Sequence, residues 1–280
     1  MAEHDVHPPQ PPRRPLAVRQ DGGTTAEHTF NTPYPVDLEV RIPAGEITVE
    51  TVDGTASRVT VEGAADLVEQ TVVEFNGNRL LVDFQGKRNL LGLGITIQIG
   101  DFTLGGGKLK VTCHVPHGSS ASLATASADM QLRGRYRELE TKTASGDLIL
   151  KGSVEQSATV KTVSGDAILD EVGSRLKVQS VSGDVIARRV GGDVEAKSVS
   201  GDMRVERVRR GEANLTSVSG DIEVGIEPGT TLDVDANSVS GDLSSDVPLS
   251  SDPSSLGGDG PTVVVRGKTV SGDFRVFRAS

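Results

Sequence analysis

The chain has no tryptophan, two tyrosines and six phenylalanines, so aromatics make up 3 % of its 280 residues. A core without large rings must be built from Val, Ala, Leu and Ile, which suits a thin, flattened structure better than a thick sandwich. A single cysteine, Cys113, rules out an internal disulfide, and the fold makes no demand for an oxidising compartment. No apolar run reaches the roughly 20 residues needed to span a bilayer. No signal-length apolar stretch follows the basic pair Arg13-Arg14. These features predict a cytoplasmic protein with no membrane span, reaching the surface only by a non-classical route. Cations are in deficit: net charge is −10 and the pI is near 5.0, which excludes nucleic-acid binding by phosphate neutralisation.

What the sequence has in excess is one phrase. Ser-Gly-Asp occurs seven times, ending at Asp147, Asp166, Asp184, Asp202, Asp221, Asp242 and Asp273, with spacings of 19, 18, 18, 19, 21 and 31. A hydroxyl stands two residues before each serine (Thr143, Thr162, Ser180, Ser198, Ser217, Ser238, Thr269), Val or Ala lies between, and an apolar residue follows each aspartate. A degenerate copy, Thr125 to Met130, carries Ala128 in place of glycine and sets Asp129 18 residues before Asp147. Self-similarity near a period of 18 marks a repeat architecture whose units bury their apolar faces by stacking.

Parity within the repeat predicts its parts. Numbered from the aspartate, positions −3, +1 and +3 are apolar (Val181, Val185, Ala187) and −4, −2 and 0 are polar (Ser180, Ser182, Asp184). Read as one strand, this points Val181 and Val199 inward and the hydroxyls outward. Glycine at −1 marks a bend or a tight backbone approach. A second alternation follows about ten residues on (Leu176/Val178, Val194/Ala196), with lone apolar residues at the corners between (Val172, Val190, Val208). The expected fold is all-β: a single-stranded β-solenoid of ~18-residue coils with an irregular N-terminal β cap.

Three regions follow. Residues 1–29, Pro-rich and then Gly-Gly-Thr-Thr, are expected as a disordered tail. Residues 30–117 read as irregular β structure. There Ala44 to Val49 echoes the repeat with Glu46 for aspartate. Gln70–Phe75 and Arg79–Phe84 flank the hairpin signal Asn76-Gly77-Asn78, and Gly94–Ile99 and Leu109–Val115 alternate. Ala64–Glu69 suits a single helical turn. Residues 118–280 are the array, interrupted by a Ser/Asp/Pro/Gly-rich loop at 244–261, with Phe274 and Phe277 of the last copy expected to plug its open end.

The Ser-Val-Ser-Gly-Asp-apolar phrase resembles the bacterial putative-adhesin family of β-strand repeats, a domain of unknown function. So do the opening Pro43-Ala44-Gly45-Glu46-Ile47-Thr48-Val49 and the Val115-Pro116 step before the array. The resemblance covers about residues 30–278. It implies a β-solenoid, links some members to cell-envelope stress, and carries no catalytic residues across.

Stacked in register, the aspartates form one column at about 4.8 Å spacing. Unit charges at that distance repel by about 0.9 kcal/mol in water and roughly 3.5 at an effective dielectric of 20, so the column must be screened or satisfied. The favoured account has each carboxylate accept backbone N–H bonds at its own Gly-Asp bend. The alternative is a row of calcium sites, best aligned at Asp166, Asp184 and Asp202. The calcium-binding nonapeptide roll, however, repeats every nine residues, and only Gly191-Gly192-Asp193 supplies a half-way copy. A glycan-active β-helix enzyme needs two carboxylates in unlike environments, which equivalent repeats do not offer. Cys113 and His114 fall on opposite faces of a strand, so Cys113-His114-x-x-His117 is poor metal-site geometry and reads as core cysteine and surface histidines. Gly105-Gly106-Gly107-Lys108 reads as a hairpin tip. The expectation is a non-catalytic scaffold or binding protein for a protein or envelope component, linked to envelope stress or adhesion, with no cofactor. A calcium-dependent adhesin and a glycan-active enzyme are the alternatives.

Overall fold

A computed structural model describes residues 18–20, 23–85, 108–247 and 260–279. Within them the chain is all-β apart from a five-residue helix, α1 (Ala65–Glu69), at the single turn expected there. Among the described residues no helix is long and apolar enough to cross a membrane. The expected strand at Gly94–Ile99, the Gly105–Gly107 tip and the part of the inserted loop spanning 248–259 lie outside the described residues. Strands β1 (Val18–Gln20) and β2 (Gly23–Asn31) fall inside the segment assigned to a tail, and pair antiparallel with each other. Strand order therefore begins twelve residues earlier than the polar composition suggests, at Val18 in place of residue 30, because β1 pairs with β2 and β2 pairs along its length with β4 (Ala56–Gly63).

The N-terminal region and the array share one stack. Strand β3 (Asp37–Val52) pairs in parallel with β8 (Ser120–Lys142) from Asp37↔Ser120 to Glu50↔Arg133. Its echo of the repeat is in register: Gly45 meets Ala128, Glu46 meets Asp129 and Ile47 meets Met130. The hairpin at Asn76–Asn78 joins β5 (Thr71–Asn76) to β6 (Arg79–Phe84), with Gly77 at φ +64°, and β7 (Leu109–Pro116) runs beside β3.

From β8 onward all pairing is parallel and advances one repeat at a time. Strand β9 (Leu148–Lys161) rounds a corner in one piece, aided by Gly152 at φ +140°. Later repeats split there into two strands: β10 (Ala167–Val172) and β11 (Arg175–Gln179), β12 (Val185–Val190) and β13 (Asp193–Lys197), β14 (Met203–Val208) and β15 (Gly211–Thr216). One sheet takes the first strand of each repeat (Leu148, Ala167, Val185 and Met203 in line), the other takes the second. The inward columns close a narrow core in which Leu150, Leu169, Ala187 and Val205 are buried, as are the corner residues Val172, Val190 and Val208. Outward side chains pair between repeats, as in Arg188–Asp170 at 2.7 Å and Arg189–Glu171 at 2.9 Å.

The end of the stack departs from chain order. After β16 (Ile222–Ile226) come β17 (Thr231–Ser238), β18 (Leu243–Ser245), β19 (Thr262–Thr269) and β20 (Phe274–Arg278). Yet β15 pairs with β19 and β16 with β20, while β17 and β18 lie outside them. The last repeat is inserted between its two predecessors. Phe274 therefore does not plug the open end; it is 2 % exposed, with Ile222 on one side and Leu243 on the other. Gly267 makes room for its ring, since a Cβ there would lie 2.2 Å from it. Phe277 packs on the outer face, with the Arg204 and Arg275 guanidinium carbons 5.6 and 6.0 Å from its ring centre. The physical reason is a sorting of apolar surface: Val263, Val265, Phe274 and Val276 gain full burial inside, whereas their register equivalents in the outer repeat are Leu232, Val234, Leu243 and Ser245, with a smaller side chain for Phe274 and a hydroxyl for Val276.

Candidate functional site: the aspartate ladder

The Ser-Gly-Asp phrase is a corner and not a strand. Residues −4 to 0 of each repeat join the second-sheet strand to the next first-sheet strand, and their burial breaks the expected alternation. The hydroxyls at −4 are buried (Thr143, Thr162, Ser180, Ser198, Ser217, Thr269), while no residue at −3 is: Ala144, Val163 and Val181 are partly covered, Val199 is 47 % exposed and Val239 81 %. The inward assignment of Val181 and Val199 is therefore reversed at Val199, and Val181 is only partly covered. The cause is local hydrogen bonding that parity cannot register. The hydroxyl at −4 turns inward to accept the N–H of the glycine three residues on, at 2.9 Å for Thr143–Gly146, Thr162–Gly165, Ser198–Gly201 and Ser217–Gly220. Ser180 instead donates to the Gly183 carbonyl at 2.7 Å.

The glycines form a column of close backbone contact. A Cβ on Gly183 would lie 2.0 Å from the Gly165 carbonyl oxygen, and one on Gly201 2.2 Å from that of Gly183. Both roles open to glycine at −1, a bend and a tight approach, are observed.

The aspartates do form one outward column. Every Oδ1 in it except that of Asp242 accepts a backbone N–H, but from the aspartate of the neighbouring repeat and not from its own bend. The chain of bonds runs Asp147 to Asp129, Asp166 to Asp147, Asp184 to Asp166, Asp202 to Asp184, Asp221 to Asp202, Asp273 to Asp221 and Asp242 to Asp273, at 2.8–3.2 Å. The order Asp221, Asp273, Asp242 repeats the strand insertion. The serine at −2 adds a parallel rung: its hydroxyl donates to the carbonyl of residue −3 one repeat back, as in Ser182 to Val163 and Ser200 to Val181, both 3.2 Å. Asp166, Asp184 and Asp202, the candidate calcium ligands, are thus aligned, with one oxygen of each committed to backbone. Among the described residues no three His, Cys, Asp or Glu side chains gather into a metal-binding group.

The remaining candidates separate. Cys113 is fully buried, and desolvation pushes its thiol up to about 12. His114 is half exposed, 3.8 Å from Glu50. His117 Nδ1 is 2.7 Å from the Thr51 hydroxyl, and its Nε2 is 3.5 Å from Asp53. This Thr-His-Asp arrangement, which spacing did not reveal, has no room for a substrate. Thr51 is buried, its oxygen accepts the Arg135 N–H at 2.8 Å, and Gly134 packs directly on it. Near the junction of β3, β6 and β8, a shallow cleft of about 590 Å³ is lined by Asp37, Glu39, Arg79, Glu138 and Glu140 among others. Asp37 and Glu39 are already paired there, with Arg137 at 2.7 Å and with Arg79.

The comparisons agree with the repeat. The Toastrack family DUF4097 matches residues 37–277. A search of curated proteins finds no match. Among solved structures, a putative lipid binding protein from Parabacteroides distasonis ATCC 8503 superposes with a TM-score of 0.57 at 16 % identity, over 90 % of this chain and 96 % of that one. A putative adhesin from the same organism gives 0.53 at 15 % identity over the same shares. One from Parabacteroides merdae ATCC 43184 gives 0.50 at 14 %, over 90 % and 95 %. At these identities the likeness is one of fold.

Proposed function

Because the chain belongs to the Toastrack family DUF4097, whose function is not assigned, we propose that it is a non-catalytic β-solenoid scaffold whose role is binding, in adhesion or in the cell-envelope stress response. One observation carries this reading. The carboxylates that could have served as acid, base or metal ligand each hold the backbone of the next coil. A side chain committed to an inter-coil bond cannot reorient toward a substrate without loosening the stack. The repeating surroundings along the column also offer no pair of carboxylates in deliberately unlike environments, which glycoside chemistry needs. The names of the similar structures, adhesin and lipid binding protein, fit a binding role and add no ligand to it. The protein acts outside nucleic-acid binding, on a protein or envelope component, and its home is the cytoplasm or, by a non-classical route, the surface.

The test is a panel of polysaccharide hydrolase and lyase assays on the full chain and on single Asp→Asn variants along the column. The expected result is no turnover. Turnover that disappears on changing one aspartate, while its equivalents change freely, would overturn the scaffold reading.

A further inference from the structure

The two ends of the stack differ. Toward the N-terminus the sheets run on into β7, β4 and β2. At the far end β17 pairs with β19 on one side, and among the described residues no strand lies on its other side. Eight residues of backbone, Thr231–Ser238, present an unpaired edge. The core beneath is only partly covered: Val234 and Ala236 are half-buried and Leu243 is 51 % exposed.

We propose that this edge is a docking site for an extended segment of a partner protein in which apolar residues alternate with Lys or Arg, added as one more strand of the second sheet. Strand addition lets main-chain bonds supply affinity while alternate side chains supply selectivity. The selectivity follows from how this molecule joins one repeat to the next. Several outward neighbours across the interfaces are of opposite sign: Arg175 meets Asp193 at 3.4 Å, Lys177 meets Glu195 at 3.2 Å, and Arg266 bonds Glu212. At the open end the outward residues are Asp233 and Asp235, both exposed, and among the described residues no cation bridges either. Their register partners inside are Val264 and Arg266, and Arg266 is already engaged with Glu212. Asp242, the last of the ladder, likewise has no following N–H among the described residues to accept. A strand complementary to this edge carries apolar residues against Leu232, Val234 and Ala236 and cations against Asp233 and Asp235.

The same two acids weigh against a second copy of the chain. An antiparallel pair of β17 strands centred on Asp233, Val234 or Asp235 sets Asp233 against Asp233, Asp233 against Asp235, or Asp235 against Asp235. Like charges directly opposite are destabilising. Acidic residues on an edge thus protect it from self-association while leaving it open to a basic strand. The chain's own 248–259 segment contains no Lys or Arg and lacks the required alternation.

This inference rests on the scaffold reading and adds a partner class to it. Its test is fluorescence anisotropy on the full chain with a labelled octapeptide of alternating Val and Lys. Two controls run beside it: the same peptide N-methylated at every second amide, and an alternating Val/Glu peptide. Expected are saturable binding of the Val/Lys peptide, at least tenfold weaker binding of both controls, and weakening with salt. The Asp233→Lys/Asp235→Lys chain, changed only at exposed positions, should invert the preference toward Val/Glu. Equal binding of the N-methylated peptide, or an unchanged preference in the reversed chain, would place the peptide on the aspartate column and overturn the proposal. So would the absence of binding, or concentration-dependent self-association of the unmodified chain that the double variant abolishes. If the double variant fails to fold, the two control peptides on the unmodified chain decide. Failure here leaves the glycan-assay result untouched, so the docking edge and the scaffold reading fall separately.

Discussion

Asp184 Oδ1 accepts the backbone N–H of Asp202 at 2.9 Å, one repeat away. The contact joins two copies of the same residue, so a column of like charges becomes a row of acceptors, each serving the repeat above. Asp184→Asn keeps a side-chain oxygen and removes one charge, so the melting temperature should hold or rise slightly, and chelator should leave it unchanged. Asp184→Leu leaves the Asp202 N–H to water and should cost about 1 kcal/mol. Calorimetry with EDTA and with calcium checks both. A calcium-dependent rise lost in Asp184→Asn would instead favour a metal-bound column, since a ligand held only by the folded state stabilises it.

The glycine column should be intolerant of a single methyl. Gly183→Ala sets a Cβ 2.0 Å from the Gly165 oxygen, and separating the strands to fit it should cost about 3 kcal/mol or more. Gly229 has positive φ, +82°, but open space around it, so Gly229→Ala should cost only about 1 kcal/mol. Urea midpoints that matched for the two variants would contradict the close approach.

At the corner, the hydroxyl matters and the valine does not. Ser198→Ala removes the acceptor of the buried Gly201 N–H and should cost about 1–3 kcal/mol. Val199→Asp changes a 47 % exposed side chain and should stay within about 0.5 kcal/mol. The opposite ranking in denaturant titrations would restore the single-strand reading of the phrase.

The inserted repeat makes its own prediction. Phe274→Ala empties a buried site and should cost about 3–5 kcal/mol. Leu243→Ala, at the open end, should cost less than about 1 kcal/mol, because half of that side chain is already in water. Were Phe274 the end plug, the two costs would converge.

Cys113 gives a pH signature. Its thiol is pushed from 9.0 to about 12 by burial, so the folded state holds the proton more tightly than the unfolded chain. Stability from this group is complete below pH 9 and is lost as pH rises from there through about 12, by up to about 1.4 kcal/mol per pH unit. Tyr136, also raised by burial, acts in the same direction. A Cys113→Val chain should lose less stability between pH 9 and 11. Parallel stability curves for the two chains would refute the assignment.

The sequence by itself determined the class, the period and the ladder positions. An 18-residue repeat with fixed glycine and aspartate can satisfy its backbone only by stacking on itself, so the all-β character, the inward columns at Val185 and Ala187 and the alignment of Asp166, Asp184 and Asp202 were all legible. Even the faint echo at Gly45-Glu46-Ile47 fell into register, because the same close contact recurs there. Tertiary structure decided what depends on which repeat is the neighbour. Whether Ser198 or Val199 turns inward depends on a three-residue hydrogen bond that competes with strand parity. The donor to each carboxylate lies a full coil away, where no local pattern points. The order of the last two repeats was settled by burial: β17–β18 and β19–β20 carry the same phrase, and the more apolar pair gains more by lying inside. A repeat specifies what its neighbours must look like, and the free energy of packing then selects which neighbour it has.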